Sequence, residues 1–207
     1  MNNKNILSTI LVLLIILFSG CIASETNLNK NIFSGETRND IFHNKTLMFK
    51  TKMPQGWKSD VMWQLPYGGA INFVNDKYPW WPSGDDGAIR TDLVTYGTLA
   101  LVRVSMDTQL VPAGYTLEYA RSQELKRPEG IIYEGYTKLG GETAWEVIRK
   151  YRTVGDLYQR DIHIIHGKRS FVLNFNVIST DVEKRDNVTV ELEPDFNEII
   201  TSFKFLD

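Results

Sequence analysis

The chain has 207 residues, with 23 Lys and Arg, 25 Asp and Glu, and a formal net charge of −2. This balance of charge argues against nucleic-acid binding, which requires clustered Lys and Arg, so we expect no nucleic acid partner. The single cysteine, Cys21, excludes an internal disulfide, and the fold must therefore be stabilised by its hydrophobic core.

The chain begins with the layout of a bacterial-type lipoprotein signal peptide. Lys4 supplies a positive charge, Ile6–Phe18 is mostly apolar, and the small residue Gly20 precedes Cys21. Because a membrane-spanning helix needs roughly 20 apolar residues, this shorter run predicts a signal peptide at residues 1–20 that is removed. Cleavage between Gly20 and Cys21, with acyl chains such as palmitate on Cys21, anchors the protein to the extracytoplasmic side of the cell membrane. The alternative is an uncleaved signal anchor with an incidental cysteine.

A flexible tether is predicted over residues 21–45, followed by one folded domain over 46–207. Polar residues predominate in the tether, and its apolar residues show no sustained period. Alternation of apolar and polar residues predicts the first strand of the domain over 46–53. Further strands are predicted over 60–65, 70–74 and 98–106. The segment 75–97 is predicted to be a long, turn-rich loop.

The second half of the chain predicts a helix followed by hairpins. Thr116 is the expected N-cap of the helix, and Pro128 is expected to stop it. The pair Gly140-Gly141 predicts a tight hairpin turn that leads into a strand over 143–152. Two more strands, joined by a short turn at Gly167, are predicted over 157–166 and 169–177.

The strand over 169–177 has the clearest period of two, with apolar residues on one face and asparagines on the other: Phe171, Leu173, Phe175 and Val177 against Asn174 and Asn176. This alternation predicts a half-buried strand. Pro194 and Asp195 predict the start of a closing helix, whose apolar spacing runs from Phe196 to Phe203. The elements together predict an α+β fold, an antiparallel β-sheet flanked by helices.

Four segments carry a resemblance to a known family: Phe49–Trp57, Thr116–Ala120, Leu139–Ala144 and Phe196–Phe205. They resemble the opening strand and turn, the first helix, a hairpin and the closing elements of PsbP-like domains, named after an extrinsic subunit of the photosynthetic oxygen-evolving complex. The resemblance implies an α-β-α sandwich and a non-catalytic binding or assembly role, often at a membrane. It carries over no catalytic residue. Residues 67–98 depart from the family pattern as an enlarged loop.

Two residue pairs in the predicted loop are candidate binding groups. Trp80 and Trp81 lie between prolines and are candidate partner-binding residues. The alternative is that both rings pack on the sheet edge, since tryptophan is mostly buried. Asp85 and Asp86 offer oxygens to calcium, but the segment lacks the ligand run of an EF-hand, which favours a solvated acidic turn.

We predict no metal site and no cofactor. His163 and His166 lie three residues apart in a predicted strand, so their side chains are expected on opposite faces. Asn44 and Asn187 begin N-x-[ST] sequons and are candidate glycosylation sites in segments that are expected to be exposed. The alternative for both is an unmodified asparagine.

The sequence contains no G-x-S-x-G or S-x-x-K motif and no cysteine available to pair with a histidine. It therefore predicts a membrane-anchored lipoprotein that presents a non-catalytic binding or assembly domain on the extracytoplasmic face. The expected partners are the membrane, through the lipid anchor, and an envelope protein. The alternative is a cell-surface hydrolase or metal-dependent enzyme whose residues are brought together only by the fold.

Overall fold

The computed structural model describes residues 35–65, 67–78, 100–152 and 155–206. The predicted signal peptide, Cys21, and the loop residues Trp80, Trp81, Asp85 and Asp86 lie outside these ranges. The folded unit described below is Gly35–Asp207. Neither helix within the described ranges has the length and apolar composition that a membrane span needs.

Most of the described residues belong to strands: β1 (Glu36–Arg38), β2 (Ile41–Asn44), β3 (Phe49–Lys52), β4 (Trp57–Leu65), β5 (Gly68–Asn75), β6 (Leu101–Leu110), β7 (Ile131–Leu139), β8 (Glu142–Arg152), β9 (Asp156–His166), β10 (Arg169–Ser179) and β11 (Lys204–Phe205). The helices are α1 (Leu117–Glu124) and α2 (Val182–Ser202). This composition confirms the predicted α+β class.

The larger sheet has seven antiparallel strands in the order β4-β5-β6-β10-β9-β8-β7. Its central strand β10 pairs with β9 through a turn at Gly167 and with β6 on its other side. The turn between β7 and β8 is formed by Gly140 and Gly141, at φ of 60° and 90°. Residues with a Cβ rarely adopt these angles, so the glycine pair accounts for the hairpin as the sequence predicted.

The smaller sheet has the order β1-β2-β3-β11, and it corrects the predicted tether. Residues 36–44, assigned to the tether over 21–45, form β1 and β2. Asn39 and Asp40 join these strands with φ of 49° and 61°, the left-handed turn that a two-residue hairpin requires. Strands of three and four residues are too short to show a period in the sequence.

The first strand predicted over 46–53 is also shorter in the structure, where β3 spans Phe49–Lys52. A turn precedes it, because Asn44 Oδ1 accepts a hydrogen bond from Leu47 N–H at 2.8 Å and Met48 takes a φ of 62°. The turn reverses the chain between β2 and β3, which pair as antiparallel neighbours.

The hydrophobic core lies between one face of the larger sheet, the smaller sheet and α2. Phe175 of β10 stacks on Phe196 of α2 with ring centroids 4.7 Å apart. The closing helix was predicted to begin at Pro194, and this is wrong, since α2 begins at Val182 and contains the proline. Asp181 caps its N-terminus by accepting from Lys184 N–H, and buried apolar residues continue through the helix on both sides of the proline.

Helix α1 packs on the opposite face of the larger sheet, against β8 and β9. The sequence predicted this helix with Thr116 as N-cap, and the structure confirms both. Successive residues of a strand point to opposite faces, so α1 and α2 cover different sets of side chains from the same strands. The sheet is flanked by a helix on each side, as predicted.

Candidate functional site

The sheet face beneath α1 carries a layer of buried polar side chains. Strand pairing places Gln159 beside Arg149 and Asn176, and Asp161 beside Asn174. All of these except Gln159 are almost fully buried. Strand β10 is therefore buried on both faces, and the prediction of a half-buried strand is wrong on the asparagine side.

Asp161 is the centre of this polar layer. Its Oδ2 accepts from Gln159 Nε2 at 2.6 Å and from Arg149 Nη1 at 3.4 Å, while Asn174 Nδ2 donates to its Oδ1. Asn176 in turn donates to Asn174. Burial raises the pKa of Asp161 to about 7, although the Arg149 charge and the Gln159 hydrogen bond lower it. The carboxyl group therefore changes charge near neutral pH.

Arg149 joins the polar layer to α1. Its buried guanidinium donates from Nη2 to Glu124 Oε2 at 3.2 Å and from Nη1 to Asp161 Oδ2 at 3.4 Å. Glu124 is the last residue of α1, so this bridge holds the C-terminal end of the helix on the sheet. A buried arginine needs such partners, because an unpaired buried charge is strongly destabilising.

A second set of contacts fixes the N-cap of α1 and its residue Arg121. Thr116 Oγ1 accepts from Tyr119 N–H at 3.1 Å. Arg121 donates two hydrogen bonds to the Glu134 carboxylate, at 3.1 and 2.8 Å, and Trp145 Nε1 donates to the same carboxylate at 3.3 Å. The Arg121 hydrogen bond lowers the pKa of Glu134. The helix is thus bound to the sheet through Arg121 as well as through Glu124.

An open cleft of about 330 Å³ lies where α1 ends, lined by Glu124, Arg127, Glu129, Arg149, Tyr151 and Gln159. Its floor is ordered, because Tyr151 O–H donates to Gln159 Oε1 at 2.7 Å. Arg127 and Glu129 on the rim are exposed and form no ion pair with other residues that the structure describes. The cleft therefore offers a free cation and a free anion above a fixed polar floor.

His163 and His166 lie on opposite faces of β9, as the period of the strand predicts. His163 is buried against Trp145, with ring centroids 5.1 Å apart, and its Nε2 has no hydrogen-bond partner. Burial, together with the charge of Arg149, lowers the pKa of His163 to about 4. His166 stacks on Phe205 at 3.8 Å, on the core side. Within the described ranges, no three His, Cys, Asp or Glu residues are grouped to hold a metal.

The two sequon asparagines differ in exposure. Asn187 is exposed on α2, as expected. Asn44 is only 1% exposed, so its expected exposure is wrong. Its side chain accepts the Leu47 hydrogen bond inside the turn between β2 and β3, which makes it inaccessible to a glycan in the folded domain.

Sequence reasoning missed the polar layer and the cleft. The signal was present in β9, where Gln159, Asp161 and His163 alternate with Ile162 and Ile164. This period of two places polar residues on one face. Because polar strand faces are usually solvated, the alternation alone does not indicate a buried network.

No protein-family model matches the chain, and no curated protein matches it significantly. Among solved structures, a Bacteroides thetaiotaomicron protein is 11% identical with a TM-score of 0.49, covering 83% of this chain and 50% of that one. This chain therefore spans about half the length of that protein. LpqN, involved in cell envelope biogenesis of Mycobacterium tuberculosis, is 18% identical with a TM-score of 0.40, covering 77% of this chain and 83% of LpqN.

The similar structures include a PsbP protein, CyanoP from the cyanobacterium Synechocystis. It is 10% identical with a TM-score of 0.47, covering 84% of this chain and 93% of CyanoP. These values do not assign the chain to a family.

Proposed function

We propose that the protein is a lipoprotein, held by acyl chains on Cys21 at the extracytoplasmic side of the cell membrane, whose folded domain binds an envelope protein without catalysis. The proposed binding site is the cleft at the end of α1. The anchor is supported by the arrangement of charge, apolar run and small residue before Cys21. Two acyl chains provide stable attachment where one does not.

The observation that carries this proposal is the pair of free rim charges, Arg127 and Glu129, above an ordered floor. The floor is fixed before any ligand arrives, because Arg149, Gln159 and Tyr151 are already hydrogen-bonded to neighbours. Preorganised groups lose little entropy on binding. Rim charges of opposite sign orient a partner segment that carries the complementary charges. The proposed ligand is therefore a polypeptide segment with one acidic and one basic side chain.

The hydrogen bonding of Asp161 favours binding over the hydrolase alternative. A pKa of about 7 suits a general acid or base, but both carboxylate oxygens are occupied by Arg149, Gln159 and Asn174. His163 Nε2 contacts no hydroxyl or carboxylate that could form a catalytic pair. The polar layer therefore supports the cleft as a structural floor.

Photo-crosslinking in native membranes tests the binding site. A photoreactive residue replaces Pro128 in the full chain, which is exposed between Arg127 and Glu129, so that both rim charges are retained, and a matched variant carries it at Val190, which is exposed on α2. We expect the Pro128 variant to give one discrete adduct with an envelope protein, reduced by a second substitution, Arg127→Glu. Equal adducts from both positions, or no adduct from the Pro128 variant, would contradict the proposal.

Metabolic labelling with a fatty acid tests the anchor separately. We expect wild type to incorporate label and to sediment with membranes, and Cys21→Ala to lose the label. Continued labelling of the alanine variant would contradict the assignment of Cys21. That result would not bear on the cleft, which the crosslinking experiment tests separately.

A further inference from the structure

Strand β7 is the outermost strand of the larger sheet in the part of the chain that the structure describes. It is nine residues long, and Ile132, Tyr133 and Tyr136 are 58%, 47% and 58% exposed. A long edge strand with exposed aromatic side chains is a template for pairing with another strand. We propose that the β7 strand of a second copy of this chain occupies this edge, so that the two larger sheets become one.

The hairpin turn determines which backbone groups of β7 are free. In a two-residue hairpin the closing pair, here Leu139 and Glu142, exchanges both hydrogen bonds. Hydrogen-bonded and non-hydrogen-bonded pairs then alternate along an antiparallel ladder. Glu134, Tyr136 and Lys138 are consequently the residues that direct their N–H and C=O groups away from β8.

Charge selects one register for self-pairing. An antiparallel copy centred on Tyr136 places Glu134 opposite Lys138 of the second copy, and Lys138 opposite its Glu134. Opposite charges directly across two strands are favourable. A shift by two residues in either direction still joins outward-facing backbone groups, but it places both Glu134 and Lys138 opposite uncharged residues. The register centred on Tyr136 is therefore the one that pairs both charges.

This arrangement has a consequence for the cleft. Two antiparallel copies of one strand are related by a two-fold axis perpendicular to the sheet, so the same sheet face continues from one copy to the next. Both α1 helices, and both clefts beside them, then lie on the same side of the dimer. Glu134 of β7 also binds Arg121 of α1, and the end of α1 lines the cleft. The proposed interface therefore includes a residue that holds this helix in place.

Disulfide crosslinking of the full chain tests the register. Tyr136→Cys brings two thiols together across the axis, because Cα atoms of a hydrogen-bonded pair lie about 5.5 Å apart, within disulfide range. Tyr119→Cys, on α1 and similarly exposed, is the matched control, and wild type controls for Cys21. Mild oxidation in a detergent extract is followed by non-reducing electrophoresis.

We expect a covalent dimer from Tyr136→Cys, none from Tyr119→Cys or wild type, and loss of the dimer when Lys138→Glu is added to Tyr136→Cys. Equal dimer yields from the Tyr136 and Tyr119 variants would overturn the proposal. So would a Tyr136→Cys adduct with a different protein, since a foreign strand would then occupy the edge. A dimer that persists unchanged with Lys138→Glu would overturn the register.

Discussion

The two faces of the larger sheet bury their side chains by different physical means. On the α2 face, Phe175 and its neighbours gain stability by removing apolar area from water. On the α1 face, Arg149 and Asp161 are buried at a cost that hydrogen bonds offset only in part. We infer that the α2 face contributes most of the free energy of unfolding. The α1 face contributes less, and its buried polar groups form a fixed floor beneath the cleft.

The largest expected effect comes from the apolar face. Phe175→Ala removes the ring that stacks on Phe196 and should cost about 3–5 kcal/mol of unfolding free energy. The adjacent residue on the other face provides the contrast, because Asn176→Ala loses one hydrogen bond and should cost about 1 kcal/mol. Urea unfolding measures both. Equal costs would contradict the assignment of stability to the α2 face.

A pH-dependent effect should come from Asp161. Its pKa rises from 3.8 to about 7 on folding, so the folded state retains a proton that the unfolded chain has released. Raising the pH from about 4 to about 7 should therefore destabilise wild type relative to Asp161→Asn, by up to about 4 kcal/mol. Urea unfolding of both proteins between pH 4 and pH 9 measures this difference.

His163 contributes with the opposite sign. Its pKa falls from 6.5 to about 4 on folding, so its stabilisation is lost as the pH falls through that range. Because wild type and Asp161→Asn share this histidine, its contribution cancels in the difference between them. A difference that does not change with pH would contradict the raised pKa of Asp161.

The bridge between the sheet and α1 should have a somewhat smaller effect. Arg149→Met leaves Asp161 buried without its cation and should cost about 3 kcal/mol at pH 8. The cost should be smaller at pH 5, where Asp161 is protonated. Lys150→Met on the same strand removes a more exposed ion pair with Asp186 and should cost less than about 1 kcal/mol. Similar costs for both variants would contradict the importance of the buried pair.

The smallest expected effects come from the helix caps. Thr116→Ala and Asp181→Ala remove equivalent side-chain caps from α1 and α2, and each should cost about 1 kcal/mol. Only the α1 cap lies on the helix that borders the cleft. Hydrogen exchange should therefore show faster opening of α1 in Thr116→Ala, with α2 unchanged. Faster exchange in α2 instead would contradict this separation of the two faces.

Local turn and cap chemistry made part of the fold predictable from the sequence. Thr116 and the pair Gly140-Gly141 specify their own backbone geometry, and the structure has the helix start and the hairpin where they were expected. Residues 36–44 were missed because such short strands form only by pairing, β1 with β2 and β2 with β3. The start of α2 was misplaced because Pro194 resembles a first-turn residue, whereas packing carries the helix through it.

The candidate site was less predictable than the fold. The alternation of Gln159, Asp161 and His163 is visible in the sequence, but the buried network also needs Arg149 from β8 and Asn174 from β10. Strand register, which tertiary contacts determine, brings these groups together. The cleft depends further on how the end of α1 packs beside Arg149, Tyr151 and Gln159 of β8 and β9, and no local motif indicates that packing.

The most direct test of the proposed binding site is the recovery of an envelope partner with the tagged full chain from crosslinked membranes, for wild type and Arg127→Glu. Arg127 is exposed, so its substitution should change the unfolding free energy by less than about 0.5 kcal/mol. Our account predicts that wild type recovers a discrete partner and that the equally stable Arg127→Glu variant loses it. Undiminished recovery of the same partner with Arg127→Glu would contradict the account.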